Sequence, residues 1–364
     1  MTEFASWLHD NAIHADTVDP NAALDDLEPL RALIGDARVV AVGENSHHIR
    51  QFYRVRHRLL RFLVERCGFT VLAFETAFMP GFDVDTWVRG GPGDVSGAAH
   101  SAGMLADCRE MRDLLLWMRH HNREGGNPVG FAGTVAAAGG GLNAELRHVA
   151  DYLAAADPPA LGPAEAAIAI GDPWQADNPM QEMNSYLAAE DSVRDRLTAL
   201  LSRLTARLDN MAAYQATRGR ARQHAEASSY LNAARRADLF HRDLSGKGFD
   251  VGTTNLDAFM AEAVLEILDR DPKARIVLAL HNVHIRRTSG GEATGHFPAG
   301  YRLAQSLGDD YLSMALTSNN GQLVTGTVDA QRKWGFATIA ETAPAPEPGS
   351  IEAAFDTTSP LNFA

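Results

Sequence analysis

The sequence predicts an α/β fold: a mostly parallel central sheet flanked by helices, with a helical insertion covering the sheet edge. Two patterns carry this expectation. Short apolar runs of strand length alternate with amphipathic helical stretches, the alternation from which parallel sheets are built. Between about 180 and 240, apolar residues keep a helical spacing for much longer than an ordinary crossover needs.

The first strand is expected over 37–42, where Val39-Val40-Ala41-Val42 stops at Gly43. A helix follows near 50–66, with Phe52, Leu59, Leu60, Phe62 and Leu63 facing inward and Arg50, Arg54, Arg58 and Arg61 elsewhere. A second strand runs from Thr70 to Phe74 and ends on Glu75. Gly90-Gly91-Pro92-Gly93 marks a loop, and 103–121 reads as a helix through Met104, Met111, Leu114, Leu115 and Met118. Further strands are expected at Val129–Gly133, Ala167–Gly171, 275–281 and Tyr311–Leu316. Between the fourth and fifth, Val193, Leu197, Leu200, Leu204, Leu208 and Met211 hold one helix face, the mark of a helical hairpin at about 176–245 leaning over the sheet edge. The α/β domain so defined covers 1–342. From Ala343 to Gly349 the proline-rich chain cannot continue a helix, so 343–364 reads as an extended C-terminal tail.

Composition narrows the class. A formal net charge of −13 argues against a general nucleic-acid binder, which needs a basic surface to displace counterions. Cys67 and Cys108 are the only cysteines, too few for a disulfide framework and in keeping with a reducing compartment. The first residues carry an early acid and no basic region ahead of an apolar one, and no apolar run approaches the roughly 20 residues that span a bilayer. The expectation is a cytoplasmic protein without a membrane partner. No serine sits in a Gly-x-Ser-x-Gly elbow, and there is neither a His-Glu-x-x-His helix nor a Gly-x-x-x-x-Gly-Lys loop. Gly139-Gly140-Gly141 follows a strand but lacks dinucleotide spacing.

Chemistry concentrates where three strands stop. Glu44 and His47 stand three residues apart just past the first strand, Glu75 ends the second, and His281-Asn282-Val283-His284 follows the run Ile276 to Leu280. Ligands of parallel α/β sheets bind outside the carboxyl ends of strands, so these side chains should line one cleft. A lone histidine such as His47 is more often a loop or cap residue; the carboxylate beside it at a strand end reverses that balance. Glu75 at the end of an apolar run must be paired or solvated, with a salt bridge to Arg56 the structural reading. One of His281 and His284 is expected in catalysis or binding, the other in holding the loop. His57, His120 and His121 sit in polar helical contexts and read as solvated.

At these residues the chain resembles the erythromycin esterase family. Gly43-Glu44-Asn45-Ser46-His47-His48 is similar to that family's Gly-Glu-x-Thr-His-Gly motif. Phe52 to Leu60 looks like its first helix, Gly68-Phe69-Thr70 leading to Phe74-Glu75 like its second strand, and Ala279 to His284 like its His-Asn-x-His block. Asp257, Met260 and Glu262 fall where a similar helix precedes that block, and Gly308 to Gly321 resembles the closing strand pair. Three departures stand out: Ser46 for threonine, His48 for glycine, and Gly133-Thr134 where an aspartate is frequent.

The resemblance implies hydrolysis of an ester or lactone, macrolide or related, with no covalent serine intermediate, no metal and no cofactor. In that scheme neutral His47 takes a proton from water, Glu44 or Glu75 fixes its tautomer, and His281, His284 and Arg56 are the candidate oxyanion donors. Arg56, Ser46, His48 and Asn282 are the candidate substrate-binding residues. Three other readings stay open. Acyl transfer or ring formation on a natural-product intermediate keeps the fold and is where His48 would matter. A metal hydrolase would draw on His47, Glu75, His281 and His284. A binding protein for iron or haem would need no reaction at all.

Overall fold

A five-stranded, fully parallel sheet forms the centre of the described residues. The computed structural model describes residues 3–136, 142–176, 178–247, 249–290, 295–329, 331–355 and 361–363, so Gly139-Gly140-Gly141 lies outside them. In chain order the strands are β1 (Ile13–Ala15), β2 (Val39–Val42), β3 (Val71–Ala77), β4 (Gly130–Val135), β5 (Ile276–Ala279), β6 (Tyr311–Met314), β7 (Gln322–Val328), β8 (Phe336–Thr342) and β9 (Leu361–Phe363). The central sheet has the order β4-β3-β5-β2-β6. All four residues of β2 and of β5 are buried, which explains why these strands read as unbroken apolar runs: both faces of a parallel sheet are covered.

Register does the rest of the positioning. Val42 pairs with Ala279, and Ala279 pairs with Phe74. The next residues along these three adjacent strands are Gly43-Glu44, Leu280-His281 and Glu75, so the polar ends arrive at one level of one edge. One face of the sheet is covered by the helix Arg50–Cys67, whose Phe52, Leu59, Leu60, Phe62 and Leu63 enter a core shared with Val40, Val42, Leu72 and Phe74. Against the other face, Met260 and Val264 of the helix Phe249–Arg270 and Leu303 of Ala299–Leu307 pack on Val39, Ala41, Ile276 and Leu278.

The crossover from β4 to β5 is a helical layer. It comprises Asn143–Ala156, Leu161–Gly171, Pro179–Ala188, Asp191–Thr217, Ala221–Lys247 and Phe249–Arg270. The periodic leucines Leu197, Leu200, Leu204 and Leu208 do face inward, against Leu231, Ala233, Ala234 and Ala237 of the next helix. The expected strand at Ala167–Gly171 is instead the second half of a helix. Ala164, Ala167 and Gly171 are its buried residues, at a helical spacing. Alanine favours helix over strand, and so short an apolar run could not reveal its period. The helix expected at 103–121 spans Arg109–Arg123, because Gly103 takes φ +84°, a left-handed conformation that closes the preceding turn.

Two corrections concern residues expected outside the core. Arg58 is fully buried, donating to the carbonyls of Thr17 and Ala23 and pairing with Asp26. The C-terminal tail is not simply extended: Ile351–Ala354 is helical, and β9 pairs antiparallel with β1, burying Phe363. No helix of the described residues is long and apolar enough to cross a membrane.

Gly43 is where the two central strand ends meet. A Cβ there would lie 1.9 Å from Asn282 Oδ1 and 2.7 Å from Ile285 Cδ1, whereas a Cβ on Gly162, in the helix Leu161–Gly171, would meet open space. Gly43→Ala is therefore expected to destabilise the protein by about 1–3 kcal/mol, as overpacking does, and Gly162→Ala to leave it unchanged or slightly more stable. Urea unfolding of the two variants checks the contrast; equal midpoints would show that the strand ends are not tightly packed.

Candidate active site

Glu44 leaves β2 buried, and its carboxylate is divided between two partners. One oxygen accepts from His47 Nδ1 at 2.7 Å; the other lies 3.0 Å from the Arg56 guanidinium. Arg56 also donates to the carbonyls of Val42 and Leu280, at the ends of β2 and β5. It thus joins the ends of β2 and β5 as a strut, with Glu44 as its carboxylate partner in place of the expected Glu75. His47 itself is a third exposed, at 33%, and its Nε2 lies 3.8 Å from Glu75 Oε1.

The β5 loop supplies the opposite wall. His281 caps the short helix Asn282–Ile285, its Nδ1 accepting the Val283 N–H, while its own N–H donates to Glu75 Oε2 at 2.6 Å. A ring whose Nδ1 accepts from a backbone amide carries its proton on Nε2 when neutral, so His281 presents a donor. Its ring centroid is 5.0 Å from that of His47. His284 Nε2 lies 3.8 Å from Glu75 Oε1, the same carboxylate oxygen that His47 faces. Two imidazoles therefore face one acid.

The remaining expected residues are placed around this centre. Asn282 Nδ2 donates to Leu316 O, and its backbone N–H donates to Glu44 O, so it ties the β2, β5 and β6 loops together. Ser46 Oγ exchanges hydrogen bonds with Val324 O and N of β7, anchoring the β7–β8 hairpin. Near its turn that hairpin is held by Asn178, whose Nδ2 donates to Arg332 O. His48 has φ +62°, in the left-handed region where glycine is at no disadvantage; this accounts for glycine at the corresponding place in the motif. Thr134 is buried within β4 and donates to Phe74 O. His57, expected in solvent, is buried beside Trp117, while His120 pairs with Glu124 at the surface.

Two residues not expected at the site adjoin it. Asp257 is fully buried; Oδ1 accepts from His284 Nδ1 and Ala299 N, both at 2.8 Å, and Oδ2 from His296 Nε2 at 2.7 Å. Asp257 was visible only as part of a helix ahead of the His-Asn-x-His block, and nothing local marks His296 in its loop. Asp257, His284 and His296 offer ligand atoms within 4.8 Å of one another, the one such grouping among the described residues, but the separations are those of hydrogen bonds. His47, Glu75 and His281 do not join it.

Burial and charge set the protonation of the cluster. Burial raises the Glu44 carboxyl, but Arg56 and the His47 hydrogen bond outweigh it and hold the group below its ordinary range. His47 is lowered by burial and raised more strongly by Glu44 and Glu75, ending above 6.5. Burial, offset by the Asp257 hydrogen bond and Glu75, leaves His284 raised as well. Burial and the neighbouring His47 charge lower both His281 and His48.

Two imidazoles, His47 and His284, are thus held at Nδ1 by buried carboxylates and bring Nε2 to within 3.8 Å of the same oxygen of Glu75. The erythromycin esterase family model matches residues 64–364, beginning inside the helix Arg50–Cys67. Erythromycin esterase type II of Escherichia coli is 31% identical over 362 residues, covering 96% of this chain and 85% of that protein. Erythromycin esterase type I of the same organism is 22% identical over 312 residues, covering 80% and 73%. In structure, a histidine-to-asparagine mutant of the erythromycin esterase EreC in its open conformation superposes with a TM-score of 0.84 at 19% identity, covering 94% of this chain and 86% of that one; the likeness is one of fold. The chain belongs to the erythromycin esterase family, and it is an ester-cleaving hydrolase.

Two measurements test this electrostatic picture. Glu75→Gln keeps an acceptor for the His281 N–H but removes the charge facing His47 and His284, so both imidazole pKa values should fall. Histidine titration by NMR checks this, and unchanged values would separate Glu75 from the pair. Because the folded-state pKa of His47 is raised above 6.5, the stability it contributes is complete below that pH and fades as pH rises through the raised value. His48→Gly, which relieves a left-handed side chain but adds unfolded-state freedom, should stabilise the fold by about 0.5–1 kcal/mol. A loss of stability in thermal melts would show that the His48 ring makes contacts that count.

Proposed function

We propose that the protein hydrolyses an ester or lactone of a small natural product, a macrolide or a related ring, with water activated by His47. The observation that carries this is the contact between His47 Nδ1 and the buried Glu44 carboxylate at 2.7 Å: Glu44, paired with Arg56, accepts Nδ1–H and leaves Nε2 as the basic atom. Water loses a proton to Nε2 as its oxygen attacks the acyl carbon. The carbonyl oxygen becomes an oxyanion, for which His281 Nε2–H is a donor. The ester C–O bond then breaks as the departing oxygen takes a proton from Nε2 of protonated His284, and the proton gained by His47 passes through solvent to His284, restoring both rings. Acid and alcohol are the products, and no serine is acylated.

Substrate choice, in this reading, belongs to the helices of about 176–245 and to the β7–β8 hairpin. Support comes from continuity: Ser46, beside the base, is bonded to the hairpin, and the hairpin near its turn is bonded to Asn178 at the start of the helix Pro179–Ala188. Arg56 and Asn282, assigned to substrate at first, act here as supports for Glu44 and the loops.

His47→Asn should lower kcat by roughly 10²–10⁴, the range of a lost general base, with its melting temperature little changed. Hydrolysis in ¹⁸O-labelled water should place the label in the acid product, and activity should persist after dialysis against a strong chelator. Since the reaction needs neutral His47, whose pKa is raised, the acid limb of kcat/KM should lie above pH 6.5. Full activity in His47→Asn would move the base elsewhere. Loss on chelation with recovery on added zinc would favour the metal hydrolase, and an acyl product on a second substrate would favour transfer over hydrolysis.

A further inference from the structure

His284 has a carboxylate behind it that the reaction so far leaves unused. Its surroundings repeat those of His47. Each imidazole gives Nδ1 to a buried carboxylate, Glu44 at 2.7 Å and Asp257 at 2.8 Å. Each points Nε2 at Glu75 Oε1 from 3.8 Å. The second oxygen of each carboxylate faces another nitrogen group, Arg56 as an ion pair with Glu44 at 3.0 Å and His296 as a hydrogen bond to Asp257 at 2.7 Å. The two assemblies share no segment: one comes from the β2 loop and the helix behind it, the other from the helix Phe249–Arg270 and the loops after β5.

Hydrogen-bond direction fixes the tautomers. Asp257 Oδ1 already accepts the Ala299 N–H, so the carboxylate acts as an acceptor and the proton between it and His284 lies on Nδ1. Arg286 lies 3.4 Å from His296 Nδ1 and can only donate, which leaves the His296 proton on Nε2, directed at Asp257 Oδ2. His284 therefore faces Glu75 with Nε2, the nitrogen free to exchange a proton while Nδ1–H stays anchored.

We propose that Asp257 and His296 are positioning residues for the reaction, holding His284 in one tautomer and orientation opposite the His47 base. This rests on the hydrolase reading, in which His284 returns a proton to the departing oxygen. Asp257 touches no substrate; it acts through His284. A carboxylate with only a packing role would need neither two imidazole donors nor a ring whose far nitrogen faces Glu75.

The test compares Asp257→Asn, His296→Gln and His296→Leu in the full chain. Asp257→Asn should lower kcat by about 10²–10⁴, as loss of the orienting acid does in a triad, with KM changed less than about threefold. His296→Gln keeps a donor for Oδ2 and should stay within about threefold of wild type, whereas His296→Leu should lose tenfold or more in kcat. Retention of kcat within twofold by both Asp257→Asn and His296→Leu overturns the proposal. So does a loss that only tracks the folded fraction seen by circular dichroism.

If Asp257→Asn does not fold, ¹⁵N-histidine NMR of the wild-type protein decides the matter. His284, assigned by the missing signal in His284→Asn, should show a protonated Nδ1 at neutral pH; a neutral ring with the proton on Nε2 overturns the proposal. Retention of one zinc per chain through dialysis, lost in Asp257→Asn, would overturn it too by making the group a metal site. Absence of all ester cleavage by the wild type would fail the hydrolase reading and leave the NMR result to judge the positioning of His284.

Discussion

The site depends on a guanidinium that no substrate is asked to touch. Arg56 comes from the second turn of the helix behind β2, is 5% exposed, and spends its donors on the carbonyl ends of β2 and β5 and on Glu44. Strand ends have carbonyls that no neighbouring strand can satisfy, and here one side chain satisfies two of them while joining adjacent strands. It also neutralises a buried carboxylate that would otherwise be costly to keep ionised. With Glu44 ionised, His47 is held in one tautomer. Geometry of the sheet, charge of the acid and basicity of the imidazole thus hang on one buried cation.

Residues whose chemistry contradicts their local pattern were the legible ones. Glu44, Glu75, His281 and His284 interrupt or end apolar strand runs, and a polar group at a buried strand end needs a reason. The parallel register then brings them to one level of one edge. Arg56 and Arg58 were harder, since an arginine on an amphipathic helix is normally solvated; only the tertiary partners, Glu44 and strand carbonyls for one and Asp26 for the other, bring them inside. Asp257 and His296 carried no local signal because their meaning lies in a contact between a helix and a distant loop. The alanine-rich run before Gly171 was ambiguous for a different reason: too few residues to tell a period of two from one of 3.6. The pairing of β9 with β1 joins the two ends of the chain, and no window of sequence contains both.

The departures from the family motif are structural in kind where the contacts are visible. Ser46 keeps the hydroxyl and uses it to fasten the β7–β8 hairpin. His48 takes a left-handed backbone conformation in which a side chain is a disadvantage. Thr134 closes its hydrogen bond inside the sheet.

The strand order has a consequence for how the protein is made. β2 and β3 emerge early from the ribosome, yet they never pair with each other; β5 fills the gap between them, and its loop lies 206 residues beyond Glu75. At about 5–20 residues per second, the nascent chain waits roughly 10–40 s with two apolar strands lacking the neighbour they will share. During that interval the helical layer between β4 and β5 is synthesised. The centre of the sheet is therefore filled late, by β5, and only β6 at the edge beside β2 is added after it.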